Sequence, residues 1–248
     1  MKTGLRIYKA RSPLIRYVQV YGERNSGTSF LTKVIRDNMR DPRNFLGARE
    51  GHETPLGTKL FGYKHWFIDY EKFKDPRSKE TLFVVIYRNP YTWIRAMMAR
   101  PYALSRSISG HEIEELPGLK LFGHVNGKDT TNEFHPKTGQ PVDLFELRRL
   151  KIDNFEALKN YAENVVFVNL ETLLNDLSGT MRALSESFES GFFSNLNLER
   201  KPPRSLVREY SRPGKFSPQE TRVLNQNIYW PAEASIGYEE DSYFFGGA

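Results

Sequence analysis

Apolar positions along the chain fall into short continuous runs separated by stripes of helical period. IRYVQVY (15–21) is β-branched and aromatic, and predicts a strand. TSFLTKVIRDNM (28–39) places Phe30, Leu31, Val34, Ile35 and Met39 on one helical stripe. TKLFGYKHWF (58–67) predicts a second strand, and TLFVVIY (81–87) a third, apolar enough to be buried on both faces. Pro90 suits the first turn of a helix over YTWIRAMMA (91–99), with Asn89 as its N-cap. VDLFELRRLKIDNFEALKNYAEN (142–164) predicts a long helix with Leu144, Leu147, Phe155, Leu158 and Ala162 toward one face. Within it, LRRLK (147–151) reads as a solvated basic face. VVFVNL (165–170) is another buried strand, and SGTMRALSESF (178–188) a further helix. Ser217 with Glu220 three residues on is a capping box that opens a helix over SPQETRVLNQNI (217–228). Strands alternating with helices predict an α/β fold, a mainly parallel sheet flanked by helices on both faces.

Residues 101–141 break this rhythm with four prolines and three histidines, His111, His124 and His135. They read as an insertion or lid on the acceptor side of a single domain spanning 1–248. The basic, proline-broken stretch 201–220 reads mostly as loop. The 248 residues can bury a substantial core without staples. The absence of cysteine removes disulfides and thiolate metal sites and fits a reducing compartment. No apolar run is long enough to span a bilayer, and the first twenty residues lack a signal-peptide core. The expectation is therefore a cytoplasmic protein without a membrane partner. A net charge of +6 calls for anionic ligands. The positive residues are scattered, which favours a small anion over nucleic acid.

The stretch YGERNSGTSF (21–30) lies between a predicted strand and a helix N-terminus, the context of a phosphate loop. Gly22 and Gly27 have the separation of G-x-x-x-x-G-K-[ST], but Thr28 stands where the lysine belongs. Backbone N–H groups at such a turn form an anion site, which the helix dipole reinforces. Ser26, Thr28 and Ser29 add hydroxyls, and Arg24 can supply the charge of the missing lysine. The strand FVVIYRN ends in Arg88, not in the acid that would hold magnesium. An arginine there attracts a second phosphate.

These stretches resemble the sulfotransferases that use 3′-phosphoadenosine 5′-phosphosulfate (PAPS). GERNSGTSFL is similar to their 5′-phosphosulfate loop. VVIYRNPYTWIRAM resembles their 3′-phosphate motif, R-[ND]-P between a buried strand and a helix. VVFVNLETLLND and FSPQETRVLNQNIYWPAEASIGY are similar to their later strand and C-terminal stretch. The resemblance spans 15–100 and 142–240 and implies the P-loop-like sulfotransferase fold. The implied reaction moves a sulfuryl group from PAPS to a hydroxyl or amine acceptor, a small molecule or a saccharide, without a metal.

The resemblance also assigns roles. Arg24, Asn25, Ser26, Gly27, Thr28 and Ser29 would hold the phosphosulfate, and Phe30 stands where some members stack adenine. Arg88 would take the 3′-phosphate, although the serine expected eight residues later is Ala96. SRPGKF (211–216) resembles the late basic loop over that phosphate, with Arg212, Gly214 and Lys215. YKHWF closes the second predicted strand, where the family places its base. That makes His65 the candidate base and Lys64 a candidate for the charge on the sulfuryl group. Neighbours on a strand point oppositely, so both serve only if the strand has ended. Two other classes stay open: a nucleotide or small-molecule kinase, and a non-catalytic anion-binding module on the same fold.

Overall fold

A computed structural model of the protein describes residues 4–10, 15–46, 48–49, 52–53, 60–101, 104–121, 123–125, 128–130, 134–188, 193 and 216–240. The chain divides into two compact units, Met1–Arg88 with Asn154–Val207, and Asn89–Asp153 with Arg208–Ala248.

The first unit is built on a mixed four-stranded sheet. Its strands are β1 (Leu5–Tyr8), β2 (Tyr17–Gly22), β3 (Thr81–Tyr87) and β4 (Val165–Asn169), in the order β1-β4-β3-β2. β2 runs parallel to β3 with Tyr17 opposite Thr81, and β3 parallel to β4 with Phe83 opposite Val165. β1 closes the other edge antiparallel, with Leu5 opposite Val168. The two central strands are buried at every position, which is why they read as unbroken apolar runs. Helix α1 (Thr28–Asn38) follows β2 and buries Phe30, Leu31, Val34 and Ile35. Past β4 come α4 (Leu170–Asn175) and α5 (Leu177–Ser187). Phe61, Phe73 and Phe83 pack ring on ring, and Tyr21 stacks between Phe83 and Phe155. Glu156 anchors β1, taking both guanidinium arms of Arg6 at 2.7 and 3.0 Å and the Tyr87 hydroxyl at 3.0 Å.

No strand forms over the described part of 58–67. Gly62 is left-handed (φ +87°), which ends any extended run, and the Trp66 N–H then donates to the Tyr63 carbonyl to close a tight turn. The sequence pattern registered the aromatic content and missed the turn.

The second unit is helical. It holds α2 (Pro90–Ala99), α3 (Leu144–Ala157) as far as Asp153, α6 (Pro218–Asn227) and α7 (Trp230–Ser235). Asn89 caps α2 by accepting from Tyr91 and Thr92 N–H, and Ser217 and Glu220 make the expected capping box on α6. Between α2 and α3 the described residues carry only short elements, among them a helical turn at Ser105–Ile108 and a ribbon of Gly123–Val125 with Lys128–Thr130. The expected solvated face of LRRLK is overturned: Arg148 and Lys151 are buried. Arg148 lies 4.8 Å from the centre of the Trp93 ring and grips Glu233 at 2.5 and 2.8 Å. Among the described residues no helix is long and apolar enough to cross a membrane.

Candidate functional site

β2 ends at Gly22, and the chain turns through Glu23–Gly27 into α1. The turn uses two left-handed residues, Asn25 (φ +60°) and Gly27 (φ +94°). Both glycines are required by their surroundings. A Cβ on Gly22 would sit 2.7 Å from the Ile86 carbonyl and 2.8 Å from the Thr28 methyl; one on Gly27 would meet Leu170 at 2.8 Å.

The turn leaves α1 open at its N-terminus. Gly27 is the N-cap and offers no side chain, and the first turn contains no acid. The first intrahelical bond runs from Leu31 N–H to the Gly27 carbonyl, so the N–H groups of Thr28, Ser29 and Phe30 precede the helical ladder. With the positive end of the helix dipole they make a place for negative charge. By contrast, Asn89, Asp176 and Ser217 cap their own helices with side-chain oxygens.

The loop is held from several directions. Ser26 is buried, and its hydroxyl and N–H both donate to the Glu23 carbonyl, at 2.7 and 3.2 Å. Ser26 therefore shapes the loop, while Ser29 is the exposed hydroxyl. Arg88, only 2% exposed at the end of β3, sends Nη1 to the Asn25 carbonyl at 2.9 Å. On the far side of Gly22, its N–H donates to the Lys64 carbonyl at 3.1 Å and its carbonyl accepts from His65 Nδ1 at 2.7 Å. A carbonyl only accepts, so Nδ1 carries the proton and the neutral ring keeps its lone pair on Nε2. The tight turn over Tyr63–Trp66 removes the strand alternation that would have sent Lys64 and His65 to opposite sides, and both are buried.

The first unit thus brings together Arg24, Asn25, Ser26, Gly27, Thr28, Ser29, Lys64, His65 and Arg88. Phe30 is in the same unit but only 7% exposed, packed as a core residue of α1. Arg212, Gly214 and Lys215 lie outside the described residues. In the second unit Ala96 is buried, and Arg95 lies 4.0 Å from the centre of the Phe216 ring, with burial holding its guanidinium below its ordinary pKa. Two residues escaped the sequence reading: Glu23, buried at the start of the loop, and Leu170, which packs under Gly27. The first could have been suspected from an acid inside G-E-R-N-S-G-T; nothing in the sequence points to the second. Among the described residues no group of three or more His, Asp or Glu side chains is placed to hold a metal.

No family model, curated protein or solved structure matches the chain.

Proposed function

We propose that the protein is a PAPS-dependent sulfotransferase with a P-loop-like fold. The observation that carries this reading is the open, acid-free N-terminus of α1, fronted by a left-handed loop that a buried arginine grips. Such a cradle suits a single tetrahedral anion approached by backbone N–H groups. Arg88, at the strand end where a magnesium-dependent kinase would place an acid, supports a nucleotide with a second phosphate instead.

PAPS supplies the sulfuryl group: the acceptor oxygen or nitrogen bonds to sulfur as the bond from sulfur to the 5′-phosphate oxygen breaks. His65 takes the acceptor proton on Nε2, the ring nitrogen opposite the one that bonds the Gly22 carbonyl. Lys64 and the N–H groups of α1 offset negative charge on the transferring group and on the departing phosphate. The acceptor is a small molecule or a saccharide bearing a hydroxyl or amine.

Calorimetric titration tests the nucleotide directly. Adenosine 3′,5′-bisphosphate is expected to bind with the same affinity in EDTA as without it, and more tightly than ATP with Mg²⁺. Binding abolished by EDTA, or ATP–Mg²⁺ as the tighter ligand, would overturn the reading in favour of a kinase. Bisphosphate binding with no sulfate transfer to any acceptor of a broad hydroxyl and amine panel would leave an anion-binding module.

A further inference from the structure

We infer that Arg88 is a positioning residue for the 5′ side of the site: it sets the shape of the anion loop through the Asn25 carbonyl. The resemblance makes Arg88 a contact for a distant 3′-phosphate, a role in which its loss would leave the 5′ group untouched. The geometry adds a contact on the 5′ side. The residue is 2% exposed, and Nη1 lies 2.9 Å from the Asn25 carbonyl oxygen, inside the loop itself.

Among the described residues Asn25 is the only residue other than glycine with positive φ. A left-handed L-residue is strained, less so for asparagine than for most, and persists only where its surroundings hold it. Further bonds hold the loop on either side of Asn25. Gly22 is bracketed by Lys64 and His65, and Ser26 is tied back to Glu23. Arg88 bonds the left-handed residue itself, at the Asn25 carbonyl. Arg88 therefore acts on the loop by fixing a costly backbone turn. One arginine serving loop and second phosphate couples the two ends of the nucleotide, so a donor is judged on both at once.

The nucleotide part of this inference rests on the sulfotransferase reading; the loop part does not, and the experiment separates them. Hydrogen exchange of the segment 22–31 is measured without ligand in the wild type, Arg88→Lys, Arg88→Met and Asn25→Ala. Methionine fills similar space with no donor, whereas lysine keeps a donor on a long stem. Exchange is expected to be about tenfold faster in Arg88→Met and to return to within about threefold of wild type in Arg88→Lys. Asn25→Ala leaves the buried cation in place and makes the left-handed turn costlier, so it loosens the same segment. Combined with Arg88→Met it is expected to be non-additive, because both act on one turn.

The same proteins are then titrated with adenosine 5′-monophosphate, which lacks the 3′-phosphate. Arg88→Met is expected to weaken this ligand about tenfold and Arg88→Lys by no more than about threefold. Folded Arg88→Met with wild-type exchange and wild-type monophosphate affinity would overturn the inference. If Arg88→Met does not fold, Arg88→Gln takes its place, and wild-type exchange with wild-type monophosphate affinity in that variant overturns the inference. If the wild type binds neither nucleotide, the sulfotransferase reading fails, and exchange alone decides whether Arg88 holds the loop.

Discussion

The proposed mechanism gives the two nitrogens of His65 separate jobs. Nδ1 holds the Gly22 carbonyl, and Nε2 is the proposed proton acceptor. Asparagine at this position keeps a donor close to where Nδ1 sits and removes Nε2. His65→Asn is therefore expected to lower turnover by about 10²–10⁴-fold. Affinity for adenosine 3′,5′-bisphosphate should change by no more than about threefold, since a base acts on the acceptor proton and contributes little to holding the donor. The wild type should lose turnover toward acid pH as the ring protonates, and that limb should be missing from the residual activity of the variant. A limb that survives in His65→Asn puts the base elsewhere. His65→Ala, which also releases Gly22, should lose nucleotide affinity as well. At this scale the sequence revealed identities and little of their partners. The spacing of Gly22 and Gly27 announced the turn, and the R-N-P step placed Arg88 at a strand end. That Arg88 binds a backbone carbonyl 63 residues away leaves no trace in sequence, because every residue type carries that carbonyl. Ser26 was legible as a loop residue, but its hydroxyl turns inward to Glu23, a choice made by the turn's geometry.

Elements whose apolar period is long or unbroken were legible: β3 spans 81–87 as read, β4 ends one residue short, and α1, α2 and α6 are shifted by a residue or less at their ends. Elements decided by a single backbone conformation or by distant packing were not. Gly62 and the Tyr63–Trp66 turn defeated the aromatic content of 58–67. β1 is only four residues long and largely half-buried, too short to show an alternation. LRRLK misled because Arg148 finds Glu233, 85 residues away. Replacing Glu233 by Ala leaves the Arg148 charge in a site 3% exposed, so a loss of about 3–5 kcal/mol in urea unfolding is expected. A loss below about 1 kcal/mol would show that water reaches the pair in solution. A milder element-level effect comes from Asp75, which caps the 3₁₀ turn Pro76–Glu80. Its side-chain hydrogen bonds with Arg77, at 2.6 and 2.8 Å, hold its carboxyl down at about 2. An unfolded aspartate titrates near 3.9, so the folded state binds fewer protons between these values. The contribution is complete above about pH 4 and lost as pH falls through about 2. Asp75→Ala should thus cost about 1 kcal/mol at neutral pH, and the difference from wild type should shrink over that acid window. A difference in melting temperature that stays constant from pH 5 to pH 2 would remove the carboxylate from this role.

On the scale of the whole molecule, the alternation of strands and helices announced an α/β protein, and the helical second unit was legible only as separate helices. Which strands are neighbours was not legible, because pairing is fixed by crossovers and not by local pattern. That order has a consequence for how the chain comes off the ribosome. β4, from well past the middle of the sequence, sits between β1 and β3. Until it is made, β1 lacks its partner among the described strands and the wholly buried β3 keeps one edge bare. At 5–20 residues per second, roughly 4–15 s separate the emergence of β3 from that of β4. During that interval a strand able to recruit a foreign edge is exposed, and the two-stranded pair of β2 and β3 is the most that can form. The nascent chain is thus expected to depend on a holding chaperone until residue 169 clears the exit tunnel and to be independent of one afterwards. Protease protection of arrested chains released at successive lengths would show it as a single late step. Gradual protection growing from the N-terminus, already strong in chains ending before Val165, would mean that the sheet does not wait for its central strand.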